Sequence, residues 1–204
     1  MARPSVQHLR RASLIEAAIT EIGNTGSLDV TVSQVARRAS VSSALAHHYF
    51  GSKEQLFLAA MREILTRYRR DVVARLTRAE TPLARLNAII DASFDEDQYS
   101  KEIVAAWLAF YVKAQTSDGA ARLLRVYMRR LHSNLIDNLR RLAPPREAQR
   151  IAEEIAALID GVYIRQALGP GRANRIQSKA MVEHCLSCLL AGITDAKEVR
   201  HASR

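Results

Sequence analysis

The sequence predicts an all-α chain of about nine helices, three short ones followed by longer ones. Three observations carry this. Apolar residues recur at three- and four-residue spacing along most of the chain. No stretch of useful length alternates apolar and polar residues as a half-buried strand would. Glycine, proline and capping residues fall between the periodic segments, where helices must start and stop.

The first helix spans roughly 7 to 23. Its apolar face is Leu14, Ala18 and Ile22, with Ile15 and Ile19 beside it, and Gly23-Asn24-Thr25-Gly26 closes it. Thr31 with Gln34 three residues on is a capping box that opens a short second helix. Ser42 opens a third, ending near Tyr49. Ser52 with Gln55 caps a long fourth helix through about Thr77. Pro82 starts a fifth, to about Phe94. Residues 101 to 115 and 119 to 142 read as helices six and seven. Pro144-Pro145 forces a break, helix eight runs to Leu168 before Gly169-Pro170-Gly171, and helix nine covers about 174 to 191. The last dozen residues are polar and read as frayed. The expected division is 1–52 and 53–204: a small module of tight turns, then a bundle with its own core.

A length of 204 residues suffices for a sizeable core, and 48% apolar with 25% charged residues is ordinary globular composition. That excludes a disordered, collagenous or cysteine-stapled chain. The longest apolar run, Ile103 to Val112, is half a membrane span, so no transmembrane helix and no membrane partner are expected. The N-terminus lacks the apolar core of a signal peptide, and a cytoplasmic location is expected. Cys185 and Cys188 form a Cys-x-x-Cys with no strand before it and no second pair, so they read as packing residues on helix nine. No catalytic constellation, metal-ligand spacing or phosphate-cradling glycine loop is present, so neither catalysis, metal nor cofactor is expected. Thirty Lys and Arg against 21 Asp and Glu give a net charge of +9, which favours a polyanionic partner.

Residues Thr31 to Phe50 have the spacing of a helix-turn-helix. Val35 and Ala36 face inward, Ala39 is small at the turn, Val41 seats the turn, and Phe50 closes the module. The second of the two helices would lie in the major groove. Ser43, Ala44, Leu45 and His47 are the base-edge candidates: alanine and leucine meet thymine methyls, and histidine donates or accepts. Thr31, Ser42, Tyr49 and Lys53 are phosphate candidates at helix N-termini or the module's edge. Arg3, Arg10 and Arg11 could form a flexible arm. Arg37 and Arg38 read as ordinary exposed charge. The stretch Thr31 to Leu56, ending His-Tyr-Phe-x-x-Lys-x-x-Leu, resembles the DNA-binding domain of the TetR family of bacterial repressors. That resemblance implies a helical homodimer with a ligand pocket in its C-terminal bundle and an inverted-repeat operator in double-stranded DNA. Two departures stand out. Ser40 occupies a turn position where the family usually has glycine, so serine must accept a left-handed backbone there. Ala46 replaces a large apolar residue and suggests looser packing of the recognition helix.

Three later segments carry aromatic and acidic residues together: Ser93-Phe94-Asp95-Glu96, Ala106 to Tyr111, and Leu158 to Arg165. Trp107, Phe110 and Tyr111 share one helix face, as do Asp160 and Tyr163. A quaternary ammonium group, which has no N–H to donate, is held by ring quadrupoles and nearby negative charge. Phe94, Asp95, Trp107, Phe110, Tyr111, Asp160 and Tyr163 are therefore the ligand candidates. An aromatic stripe at this spacing is more often a core feature, and Asp160 could pair with Arg165 or another structural cation, or sit at a partly wet dimer interface. All three segments resemble the choline-responsive branch of the TetR family, repressors of glycine-betaine synthesis genes. The resemblance implies choline or a similar quaternary amine as effector, with ligand shifting helix four and thereby the recognition helices. Tyr111 and Tyr163 stand where that branch commonly has tryptophan, so a different amine or apolar ligand stays open, as does a ligand-independent architectural DNA-binding protein. Ile155, Leu158, Ile159, Leu186, Leu189 and Leu190 serve a dimer face or the core. Arg122, Arg125, Arg129, Arg130, Arg140 and Arg141 on helix seven are expected to form a solvated basic face with pairing to glutamates, not a second DNA site.

Overall fold

The computed structural model describes residues 6–169 and 174–202, with side chains through Ile193. Nine helices and no strand occur among them: α1 Val6–Thr25, α2 Val32–Arg38, α3 Ser43–Phe50, α4 Lys53–Leu76, α5 Pro82–Ser93, α6 Lys101–Lys113, α7 Asp118–Leu139, α8 Pro145–Leu168 and α9 Arg175–Ala202. Side-chain oxygens of Thr31, Ser42, Thr81 and Ser100 cap the helices that follow them. Ser52 Oγ accepts from the Gln55 amide at 3.1 Å and does the same for α4. The break at Pro170 and Gly171 lies outside the described residues, as does Arg3.

Two boundaries differ from the sequence reading for physical reasons. Gly23 does not end α1; it is buried inside the helix, and a Cβ there would stand 2.5 Å from both Cα and Cβ of Glu102. Its lack of a side chain permits close approach of α1 to α6. The helix closes two residues later, where Gly26 takes φ +61 and its amide donates to the Ile22 carbonyl. At the other end, the expected fray is helix: α9 continues to Ala202. Beyond Gly192 the chain has neither glycine nor proline, and polar residues of good helix propensity carry the helix on.

By packing, the chain divides into Met1–Arg67 with Ser100–Leu124, and Tyr68–Tyr99 with Arg125–Arg204. This division does not fall at residue 52, because α1 packs against α6 as well as against α2, and the first part of α4 goes with them. The core of the first unit includes Leu14, Ala18, Val35, Ala46, Met61 and Phe110. In the second unit α9 packs against α8 and α5, around Ile89, Leu135, Ile151, Ile155, Ile159 and Leu186. Leu158, Leu189 and Leu190 are only half-buried, while Ile176 and Met181 on α9 are exposed. Cys188 is exposed rather than packed within the chain, with Sγ 3.6 Å from His184 Nε2, and Cys185 is half-buried. The α7 arginines pair with no carboxylate among the described residues. Arg125, Arg129 and Arg130 have no acidic residue three or four positions away on their helix.

Candidate nucleic-acid interface and aromatic cluster

The helix-turn-helix is set by local hydrogen bonds. The Gln34 amide donates to Thr31 Oγ1 at 3.2 Å, and the Thr31 amide donates to Gln34 Oε1 at 2.7 Å, completing the capping box. The turn closes through the Ser40 amide on the Arg37 carbonyl and the Val41 amide on the Ala36 carbonyl. Ser40 sits at φ +54, the left-handed conformation that the sequence required of it. For a residue with a Cβ this costs about 1 kcal/mol. The Leu45 amide then donates to Ser42 Oγ at 3.2 Å, starting α3.

The face that α3 turns inward is Ala46, fully buried, and Phe50. The small side chain at 46 thus seats the recognition helix fully rather than loosening it. Val41 is half-buried at the turn. Ala44, His47 and Lys53 are exposed together with Thr31 and Ser42, while Leu45, Tyr49 and Ser43 are half-exposed. Ser43 Oγ donates to Ser33 Oγ at 3.1 Å, which ties α3 to α2. His48 is not among the sequence candidates. It lies four residues after Ala44 and one after His47, is exposed, and touches the Tyr49 ring edge-on at 5.7 Å. Helical spacing from Ala44 could have found it. Arg10 and Arg11 belong to α1 and are not an arm; the Arg11 guanidinium stands over the Phe50 ring at 5.1 Å. Arg38 is paired with Glu21 on α1.

The aromatic candidates fall into two groups, one in each unit. In the first unit Trp107 lies 5.7 Å from both Phe110 and Tyr111, centroid to centroid, so the three share a face as spacing required. Phe57 of α4 meets Phe110 at 6.3 Å. In the second unit Phe94, Tyr99 and Tyr163 form a mutual cluster with centroids 5.2 to 6.0 Å apart. Tyr68 and Tyr127 stack edge-on at 6.0 Å, and the Tyr127 hydroxyl donates to Asp160 Oδ1 at 3.1 Å. The Tyr163 hydroxyl donates to the carbonyls of Ser93 and Gln98, pinning the connection between α5 and α6. Asp95 meets Arg75, which also holds Asp71. Asp160 is the carboxylate that sits with the rings.

Tyr68, Tyr99 and Tyr127 are missing from the sequence candidates. Tyr68 and Tyr127 stand alone in arginine-rich helices, 59 positions apart, and no local pattern marks them. Burial pushes the phenol pKa of Tyr68 up to about 12. It also raises Tyr99, and raises Tyr163 well above 10, helped by the charges of neighbouring groups. Each folded value lies above the free-phenol value of about 10. The stability these groups contribute is therefore complete below pH 10 and is lost as pH rises through their folded values, about 12 for Tyr68. Three of the six tyrosines should resist ionisation until the chain unfolds, and tyrosinate absorbance followed alongside circular dichroism checks this.

A short helix seated on a buried alanine, with small and imidazole side chains facing out, is the reading head of a helix-turn-helix DNA-binding regulator. The family model of bacterial regulatory proteins, tetR family, matches residues 14–60, and that of the BetI-type transcriptional repressor C-terminal domain matches residues 82–191. The chain belongs to the TetR family, in its BetI-type branch, and is a DNA-binding transcriptional repressor. It is 49% identical to the HTH-type transcriptional regulator BetI of Agrobacterium fabrum over 204 residues, covering 100% of this chain and 99% of that protein. It is 50% identical to BetI of Brucella anthropi over 192 residues, 94% of this chain and 99% of that one. A transcriptional regulator of Saccharomonospora viridis, solved in complex with choline, shares the fold at TM-score 0.76 and 19% identity, covering 87% of this chain and 95% of that chain. The relatives are regulators of transcription, and among the described residues no group of three His, Cys, Asp or Glu could hold a metal ion. No described helix is long and apolar enough to cross a membrane.

Proposed function

We propose that this repressor acts as a homodimer on an inverted-repeat operator and that choline, or a closely similar quaternary amine, is its effector. Glycine-betaine synthesis genes would then be its targets. The observation that carries the effector is Asp160 set among the rings of Tyr68, Tyr127 and Tyr163. The Tyr127 hydroxyl donates to this carboxylate. Rings and a carboxylate in one half-buried place suit a cation that cannot donate N–H hydrogen bonds, each ring adding about 0.5–2 kcal/mol. The BetI-type match and the choline-bound fold relative support the same reading. For DNA, the operator contacts we assign are Ser43, Ala44, Leu45 and His47 on bases, and Thr31, Ser42, Tyr49 and Lys53 on phosphates. The partly exposed apolar residues of α8 and α9, Leu158, Leu189 and Leu190 with Ile176 and Met181, are the surface we assign to the second copy. Effector binding shifts the repressor only by its differential affinity for the DNA-bound and free states.

The test is calorimetric titration of the full-length protein. Choline should bind saturably, and the neutral isostere 3,3-dimethylbutanol should not. Choline should also weaken operator binding in a gel-shift assay. Equal responses to both compounds would mean an apolar effector site, and no response to either would remove choline as effector while leaving the repressor intact.

A further inference from the structure

Within the first unit lies a cavity of about 370 Å³, of whose lining only Thr31 and Lys53 are assigned above, to DNA phosphates. Small-molecule sites have volumes of roughly 300–1,000 Å³. Its walls are apolar: Ala18 and Ile22 from α1, Val32 and Val35 from α2, Leu56 and Phe57 from α4. Four charged side chains stand around it, Asp29, Lys53, Glu54 and Lys113. They are not equivalent. Ser27 Oγ donates to Asp29 Oδ2 at 3.0 Å, and Ser117 Oγ donates to Glu54 Oε1 at 2.5 Å. Each carboxylate accepts from a hydroxyl of its own unit and keeps its charge. Among the described residues, neither the Lys53 nor the Lys113 ammonium enters an ion pair or hydrogen bond, although both border the same cavity. An apolar chamber with two uncommitted ammonium groups at its rim is complementary to a molecule with an apolar tail and an anionic head.

We propose that this cavity is a second ligand site, in the DNA-binding module itself, for a medium-chain organic carboxylate. The tail lies against Ile22, Val35 and Phe57, and the carboxylate meets Lys113 and Lys53. Thr31 borders the same cavity. An occupant therefore competes with a DNA phosphate for Lys53 and weakens operator binding directly, without passing through the aromatic cluster. This competition rests on the phosphate contact assigned to Lys53; binding of the carboxylate does not.

The experiment titrates the full-length protein with sodium octanoate by calorimetry, with octan-1-ol and octylammonium as neutral and cationic controls. One octanoate should bind per chain, about tenfold more tightly than either control, the ratio expected of a charge-assisted contact. Lys113→Gln should weaken octanoate by about tenfold and leave operator affinity in its absence unchanged. Asp160→Asn should leave octanoate binding intact, which separates this site from the choline reading. In gel-shift assays octanoate should raise the operator Kd of the parent protein and not that of Lys113→Gln. Equal affinity for the three probes, indifference to Lys113→Gln, or loss of octanoate binding in Asp160→Asn would overturn the site. Tight octanoate binding with an unchanged operator Kd would overturn the competition.

Discussion

Asp160→Asn is expected to weaken choline binding by about 30-fold, or roughly 2 kcal/mol, while the ligand-free variant binds operator as the parent does. The substitution keeps the shape of the side chain, and its amide oxygen still accepts the Tyr127 hydroxyl, which stands 3.1 Å from Oδ1. Only the charge is removed. A carboxylate about 5 Å from a cation contributes on the order of 3 kcal/mol at an effective dielectric of 20. Asp160 is half-buried, so solvent screening takes part of that away. The rings remain and keep the cation–π share of the affinity, so binding weakens rather than vanishes. Folding stability should hold or rise slightly, since a carboxylate among phenols is costly to desolvate. Calorimetry with choline, paired with a gel shift on the operator, reads both quantities. If choline affinity is unchanged, Asp160 is a structural acceptor for Tyr127 and the cation is balanced elsewhere.

Local chemistry is what the sequence discloses well. Thr31 and Gln34, Ser42, and Ser52 with Gln55 act within three residues of themselves, and each cap forms as spacing predicts. The left-handed turn residue at Ser40 and the shared face of Trp107, Phe110 and Tyr111 are local in the same sense. Most of the aromatic cluster around Asp160 is not. Tyr68 reaches Ser93 across 25 residues, Tyr127 reaches Asp160 across 33, and Tyr163 reaches Ser93 across 70. No periodicity encodes such pairs. The two carboxylate candidates, Asp95 and Asp160, look alike in sequence, and they are told apart by the arrival of Arg75 beside Asp95 and of Tyr127 beside Asp160. Helix α7 shows the opposite lapse. The lack of nearby acids around Arg125, Arg129 and Arg130 is visible in the sequence and already argues against intrahelical pairing.

Glycine is the residue whose meaning is hardest to read from sequence, and Gly23 is the sharpest case. Gly23→Ala should lower the unfolding free energy by about 2 kcal/mol. On helix propensity alone the change would stabilise α1 by roughly 1 kcal/mol. Packing opposes it. The new methyl carbon would stand 2.5 Å from Glu102 Cα and 2.7 Å from its carbonyl oxygen, both backbone atoms that no side-chain rotation can move aside. Helix α1 would have to back away from α6, and overpacking of this kind costs about 1–3 kcal/mol or somewhat more. For a chain of this size the net loss corresponds to a Tm lowered by about 4–8 °C. Gly26→Ala supplies the contrast, because nothing lies within 4 Å of the place its methyl group would take and only φ +61 resists the change. Its cost should be about 1 kcal/mol, from backbone conformation alone. Thermal and urea unfolding of the two variants separates the causes. If Gly23→Ala matched or exceeded the parent in stability, α1 and α6 would not be held in close contact at this point. Because α1 also supports α2 and α3, the same variant should bind operator less tightly at temperatures where it remains folded.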